Sequence, residues 1–179
     1  MPIVPILFLL DIKNAYFWAG LAFALICCTD FIDGAIARKS GQITTLGKFL
    51  DPLADKIAVT TGLFLLVYAG LFSFRNFHTT LFDILGLSCS MIIIIRDFII
   101  GIFRQIASGK GVVVSADILG KIKTIAMDSA IPILFVSEYA TWIYVLGITL
   151  FFIGFILTIV SLINYLKKNI KILSVDKSE

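Results

Sequence analysis

A chain of 179 residues that is 59% hydrophobic, with a mean hydropathy of +1.03 and 15% charged residues, is too apolar for a water-soluble domain, which is nearer half apolar. Its net charge of +3 is too modest to suggest a nucleic-acid partner. The composition is that of an all-α integral membrane protein.

The elements follow in chain order from charge-free runs and the turn residues between them. Residues 2–11 form a helix fragment that is too short to cross a bilayer alone, since a span needs about 20 apolar residues. It also lacks the basic start and small-residue cleavage site of a signal peptide, so none is expected. Helices are then expected over 14–39, 45–73, 80–108, 118–137 and 140–168. The breaks fall at Ser40-Gly41-Gln42, at residues 73–79, at Ser108-Gly109-Lys110-Gly111 and at Ser137-Glu138. The expectation is a six-helix transmembrane bundle over 1–168, followed by a basic polar tail over 169–179. Cys27, Cys28 and Cys89 have no disulfide or zinc spacing and read as small apolar helix residues.

Positive charge sets the orientation. Arg38, Lys39, Lys48, Lys110, Lys121, Lys123 and the tail lysines collect on one side, leaving Lys13 and Arg75 on the other. The first side, with the C-terminus, is expected to be cytoplasmic.

Four carboxylates stand at that side, where a membrane chain can least accommodate them. They lie in the run Asp30-Phe-Ile-Asp33-Gly34-Ala-Ile-Ala37-Arg38 and, after eight residues, Gly47-Lys-Phe-Leu-Asp51-Pro-Leu-Ala-Asp55. Near lipid, ionised carboxylates cost several kcal/mol each unless something positive pairs them. Asp30, Asp33, Gly34 and Ala37 share one helix face, with Arg38 at its edge. Gly47, Asp51 and Asp55 step by four along the next helix. If the two helices pack antiparallel, the four carboxylates surround one cavity suited to two hard cations such as Mg²⁺ or Mn²⁺. A helix cap at Asp51-Pro52, or a solvated helix end at Asp30 and Asp33, would explain any one of these residues but not the set.

The pattern Asp-x2-Asp-Gly-x2-Ala-Arg-x8-Gly-x3-Asp-x3-Asp resembles that of the CDP-alcohol phosphatidyltransferase family, and the chain matches it at every fixed position. The resemblance implies six membrane helices, a cytoplasm-facing site and a homodimer, and against it the first helix, opening at Met1-Pro2-Ile-Val-Pro5, reads as shortened. It also implies transfer of a phosphatidyl-type group from a CDP-linked lipid to an alcohol with release of CMP. It assigns Asp30, Asp33, Asp51 and Asp55 to two divalent metals, Asp55 to the general base, and Gly34, Ala37 and Arg38 to the CDP moiety, which Gly47 lets approach.

A second region concerns the acceptor. Arg96 and Arg104 are eight residues apart, about 80° around a helix, and can share a broad face. Lys121 and Lys123 open the following helix. Together the four suit a phosphate monoester. Flanking positive charge explains the lysines individually but not Arg96, which follows four isoleucines. Arg96-Asp97-Phe98, Gly101, Arg104 and Gly120-Lys121-Ile122-Lys123-Thr124 resemble the signature of the family branch that joins CDP-diacylglycerol to glycerol 3-phosphate, with Asp97 in place of the usual Glu. Inositol phosphate, phosphatidylglycerol or serine are the alternative acceptors. A cation transporter is the alternative from another class.

Overall fold

The computed structural model describes residues 3–10, 14–40, 45–73, 80–109 and 118–174. Within these, the side chains of residues 9, 30, 31, 33–40, 45–53, 55, 80, 108, 109 and 168–174 are not described. The described residues form α1 (Ile3–Leu9), α2 (Ala15–Ser40), α3 (Thr45–Tyr68), α4 (Thr80–Gly109), α5 (Ile118–Phe135) and α6 (Thr141–Ser174), with a 3₁₀ turn at Ser137–Tyr139. Among them there is no strand, and the expected all-helical class is what the chain adopts.

Two boundaries differ from expectation for identifiable reasons. α3 stops at Tyr68, short of residue 73. Gly70 there takes a left-handed φ of 64°, Gly70 N donates to Val67 O at 3.1 Å, and Leu71 N donates to Leu66 O at 3.1 Å. These paired bonds close a helix on a glycine without β-carbon strain. α6 continues to Ser174, beyond residue 168, through a lysine-bearing end that suits the negative pole of a helix.

α5 is the spine of the molecule. Its Met127, Ala130, Ile131, Leu134 and Phe135 recur at three- and four-residue spacing and are fully buried. α2, α3 and α6 pack around it. α6 lies close because Gly147 and Gly154, two turns apart, meet Leu134 and Met127. Remote from the charged motifs, Tyr144 OH donates to Phe72 O at 2.8 Å and Ser73 Oγ donates to Asp83 Oδ1 at 2.6 Å, tying α6 and α4 to the turn after α3.

The outside is apolar. α4 and α6 each carry an apolar stretch of 27 residues, Leu81–Ala107 and Thr141–Lys167. Each rises about 40 Å, more than the ~30 Å of a hydrocarbon core. Only 33% and 28% of their most apolar windows are buried. Ile84, Ile95 and Ile102 of α4 and Trp142, Ile156 and Ile163 of α6 stand exposed. Such surfaces suit lipid rather than water.

Candidate active site

The eight positions of the acidic motif occupy the end of α2 and the start of α3. The side chains of Asp30, Asp33, Ala37, Arg38, Asp51 and Asp55, and the surroundings of Gly34 and Gly47, lie outside the described residues, but the helical backbone carrying them is described. α2 and α3 touch further along, at Phe23 and Gly62. A β-carbon built on Gly62 would come within 2.9 Å of Phe23 Cε2 and 2.8 Å of Ile131 Cγ2 of α5. Phe23 lies 17 residues before the end of α2 and Gly62 lies 17 residues after the start of α3. Equal arms therefore run back to the short connection, and the pair is an antiparallel hairpin.

That register aligns the acidic positions. Asp30 follows Phe23 by seven residues and Asp55 precedes Gly62 by seven. At about 100° per residue, each lies within about 20° of the face through which the helices touch. Asp51 stays within about 20° of Gly62, and Asp33 lies about 80° round from Phe23. Asp30, Asp51 and Asp55 thus fall near the touching face of their helices, and Asp33 falls to one side of it. Their donor chemistry, all hard oxygen, fits Mg²⁺ or Mn²⁺. Among the described residues no group of three or more His, Cys, Asp or Glu is assembled for a metal.

Beside α3, a charged cluster is buried among α4, α5 and α6. Arg96 is 8% exposed and Lys123 is 4% exposed. Asp97 bridges them: Arg96 Nη1 donates to Asp97 Oδ1 at 2.7 Å and Lys123 Nζ donates to Asp97 Oδ2 at 2.5 Å. Arg96 Nη2 donates to Ser161 Oγ of α6 at 2.6 Å. Arg96 Nε is buried and has no hydrogen-bond partner. One carboxylate thus serves two buried cations.

Arg104 stacks over the Tyr165 ring at 5.7 Å. Ser161 and Tyr165 are one turn apart on α6, so both arginines of α4 meet the same stripe of that helix. Lys121 is exposed and lies on the opposite side of α5 from Lys123, as a two-residue spacing requires. The structure therefore joins Arg96 and Lys123, keeps Arg104 two turns along the same groove, and does not bring Lys121 into the cluster.

Two neighbours carry no motif. Ser161 is a hydroxyl within the long apolar run of α6, and that contrast is its only sequence signal. Lys56 follows Asp55 directly. Its side chain enters a small cavity between α3 and α4 lined by Val59, Thr60, Ile93, Ile94, Asp97 and Phe98. Lys56 Nζ sits 5.8 Å from the Phe98 ring centre and against Gly101, where a β-carbon would overlap it.

An all-helical chain with lipid-suited outer faces, a hairpin of carboxylates and a buried cationic cluster has the makings of a membrane enzyme that handles phosphate esters. The chain belongs to the CDP-alcohol phosphatidyltransferase family, whose model matches residues 1–160. It is 35% identical over 168 residues to a CDP-diacylglycerol–glycerol-3-phosphate 3-phosphatidyltransferase of Wigglesworthia glossinidia brevipalpis, covering 92% of this chain and 85% of that protein. Proteins of the same name from Bacillus subtilis (strain 168) and Escherichia coli (strain K12) are 37% identical over 124 residues and 31% identical over 168 residues. Those matches cover 69% and 93% of this chain, and 58% and 86% of the relatives. The chain is thus a membrane-associated phosphotransferase of phospholipid synthesis.

Proposed function

We propose that the protein transfers the phosphatidyl group of CDP-diacylglycerol to glycerol 3-phosphate, giving phosphatidylglycerophosphate and CMP. The names of its relatives support the two substrates. The chemistry is supported by the run of Asp30, Asp33, Asp51 and Asp55 on the end of α2 and the start of α3, together with the buried Arg96–Asp97–Lys123 cluster.

Asp30, Asp33, Asp51 and Asp55 would hold two divalent cations, Mg²⁺ or Mn²⁺. When bound, such ions neutralise a pyrophosphate and make its phosphorus electrophilic. Gly34, Ala37 and Gly47 leave room for the flat CDP moiety against backbone, and Arg38 pairs with its charge. Asp55, as general base, accepts the proton of the primary hydroxyl as that oxygen attacks the lipid-side phosphorus. The bond from this phosphorus to the bridging oxygen breaks in line, and CMP leaves. The transfer is read as direct, with no covalent enzyme intermediate.

Arg96 and Lys123 hold the acceptor phosphate, with Arg104 further along the groove, while Lys121 lies on the opposite side of α5. The diacyl tails lie against the apolar outer faces. The six-helix bundle spans the inner membrane with its site and C-terminus cytoplasmic, on the positive-inside distribution. The family resemblance adds a homodimer. The same cluster would also accept inositol phosphate, which makes that compound the control. Family membership favours the enzyme over a cation transporter.

The test is incubation of the purified chain with CDP-diacylglycerol, Mg²⁺ or Mn²⁺, and radiolabelled glycerol 3-phosphate. Labelled lipid phosphate and CMP that disappear with EDTA are expected. CMP release with inositol phosphate alone would overturn the acceptor.

A further inference from the structure

We infer that the end of the molecule away from the carboxylates carries an aromatic belt, seated at the ester and headgroup level of one bilayer leaflet. Its occupant is lipid rather than substrate, so it stands apart from the phosphatidyl-transfer reading.

Both tryptophans of the chain and four of its five tyrosines lie at the start of α2, the end of α3, the 3₁₀ turn and the start of α6. The acidic positions occupy the opposite ends of α2 and α3. Ring contacts put the aromatic residues at one level. Phe17 links Trp18 to Tyr139, with ring centres 5.6 and 5.9 Å apart, and Phe8 links Tyr16 to Tyr68 at 4.8 and 6.4 Å. Trp142 follows Tyr139 by three residues. Packing into a core does not explain the cluster, because Trp18, Tyr68, Tyr139 and Trp142 are 48% to 74% exposed.

An indole or phenol has an apolar body and a polar tip, which suits the zone where acyl chains meet ester carbonyls and water. Asn14 and Glu138, which adjoin the rings in sequence, are exposed as well and require polar surroundings. The apolar outer faces of α4 and α6 begin at this same end. Along them the exposed hydroxyls of Ser88 and Thr149 donate to their own helices, to Ile84 O at 2.7 Å and Val145 O at 2.6 Å. That pattern suits a surface with no water at hand. On the exposed face of α6, the next polar residue after Thr149 is Asn164, 22 residues beyond Trp142. The rise between Trp142 and Asn164 is about 33 Å, close to the ~30 Å of a hydrocarbon core. The rings therefore stand one hydrocarbon thickness from the next exposed polar position on this helix.

Tryptophan fluorescence of the full chain in phosphatidylcholine vesicles tests this, because both tryptophans lie in the belt. Lipid brominated near the top of its acyl chains should quench the emission at least about twofold more than lipid brominated near the bilayer centre, ~15 Å deeper. Aqueous iodide should quench weakly. Trp18→Phe and Trp142→Phe each leave one tryptophan on a different helix, and the two should report the same depth. Strongest quenching from the bilayer centre would put the rings in hydrocarbon and overturn the belt. Strong iodide quenching with no effect of bromine would put them in water and overturn it as well. Insensitivity to both quenchers would mean that protein, a second copy of this chain, covers the rings in place of lipid. Unequal depths in the two variants would break the common level. If a variant does not fold, the wild-type depth decides alone.

Discussion

Phe23 of α2 and Gly62 of α3 meet at equal distances from the connection between their helices, 17 residues on either side. Because the approach is so close, any side chain at position 62 must displace either the Phe23 ring or Ile131. Gly62 is where α3 meets both α2 and α5.

Gly62→Ala should therefore destabilise the protein by about 1 kcal/mol, and Gly62→Leu by about 3 kcal/mol, through overpacking. Gly62→Leu should also lower kcat by about a hundredfold, since an ångström-scale shift of reacting groups is that costly. Thermal unfolding in detergent, alongside CMP release, checks both. Normal activity in a destabilised Gly62→Leu protein would detach the contact from the site.

Asp55→Asn should reduce turnover by roughly a hundredfold to ten-thousandfold, the usual worth of a positioned base, while CDP-lipid binding persists. Asp51→Asn and EDTA should each abolish turnover. Binding of the CDP-lipid, followed by displacement of a labelled analogue, separates the two roles. Loss of Mn²⁺ binding in Asp55→Asn would make that residue chiefly a ligand.

Asp97 holds two buried cations apart, so its removal should cost more than the removal of either partner. Asp97→Ala is expected to cost about 3 kcal/mol by removing the carboxylate that the buried Arg96 and Lys123 share. Lys123→Met should cost less in an Asp97→Asn background than alone, because the pair is coupled. A double-mutant cycle on thermal stability reads this directly, and additive losses would contradict the bridge.

Arg96→Ala should raise the acceptor KM more than the donor KM, and Lys123→Ala should do the same. Lys121→Ala, at an exposed position on the far side of α5, should change the acceptor KM by no more than about threefold, the modest worth of an exposed charge. Arg104→Ala should fall between them. If Arg96→Ala raised the donor KM instead, Arg96 would belong to the nucleotide end.

The helices were legible because hydropathy and turn residues act over a few neighbouring positions. Charge-free runs bounded by Gly and Ser located α2 to α6 to within a few residues. The misplaced end of α3 shows where local reading is weakest: Ala69-Gly70-Leu71 sits inside an unbroken apolar run, yet one left-handed glycine ends the helix. The acidic motif was legible for a different reason. Carboxylates at fixed spacing near lipid carry a solvation cost that makes them stand out in an apolar chain.

By itself, then, the sequence determined an apolar helical chain with four carboxylates at one end of a helix pair and basic residues of the right kind for phosphate. Only the tertiary structure decided which of those charges meet. Asp97 lies 26 residues from Lys123, and Arg96 lies 65 residues from Ser161. No local rule selects those partners. Their pairing depends on how α4, α5 and α6 pack, and packing turns on contacts such as glycine against Leu134 and Met127. Hydropathy and spacing are properties of the chain's own neighbourhood. Charge neutralisation in a low-dielectric interior belongs to whatever the fold brings within 3 Å.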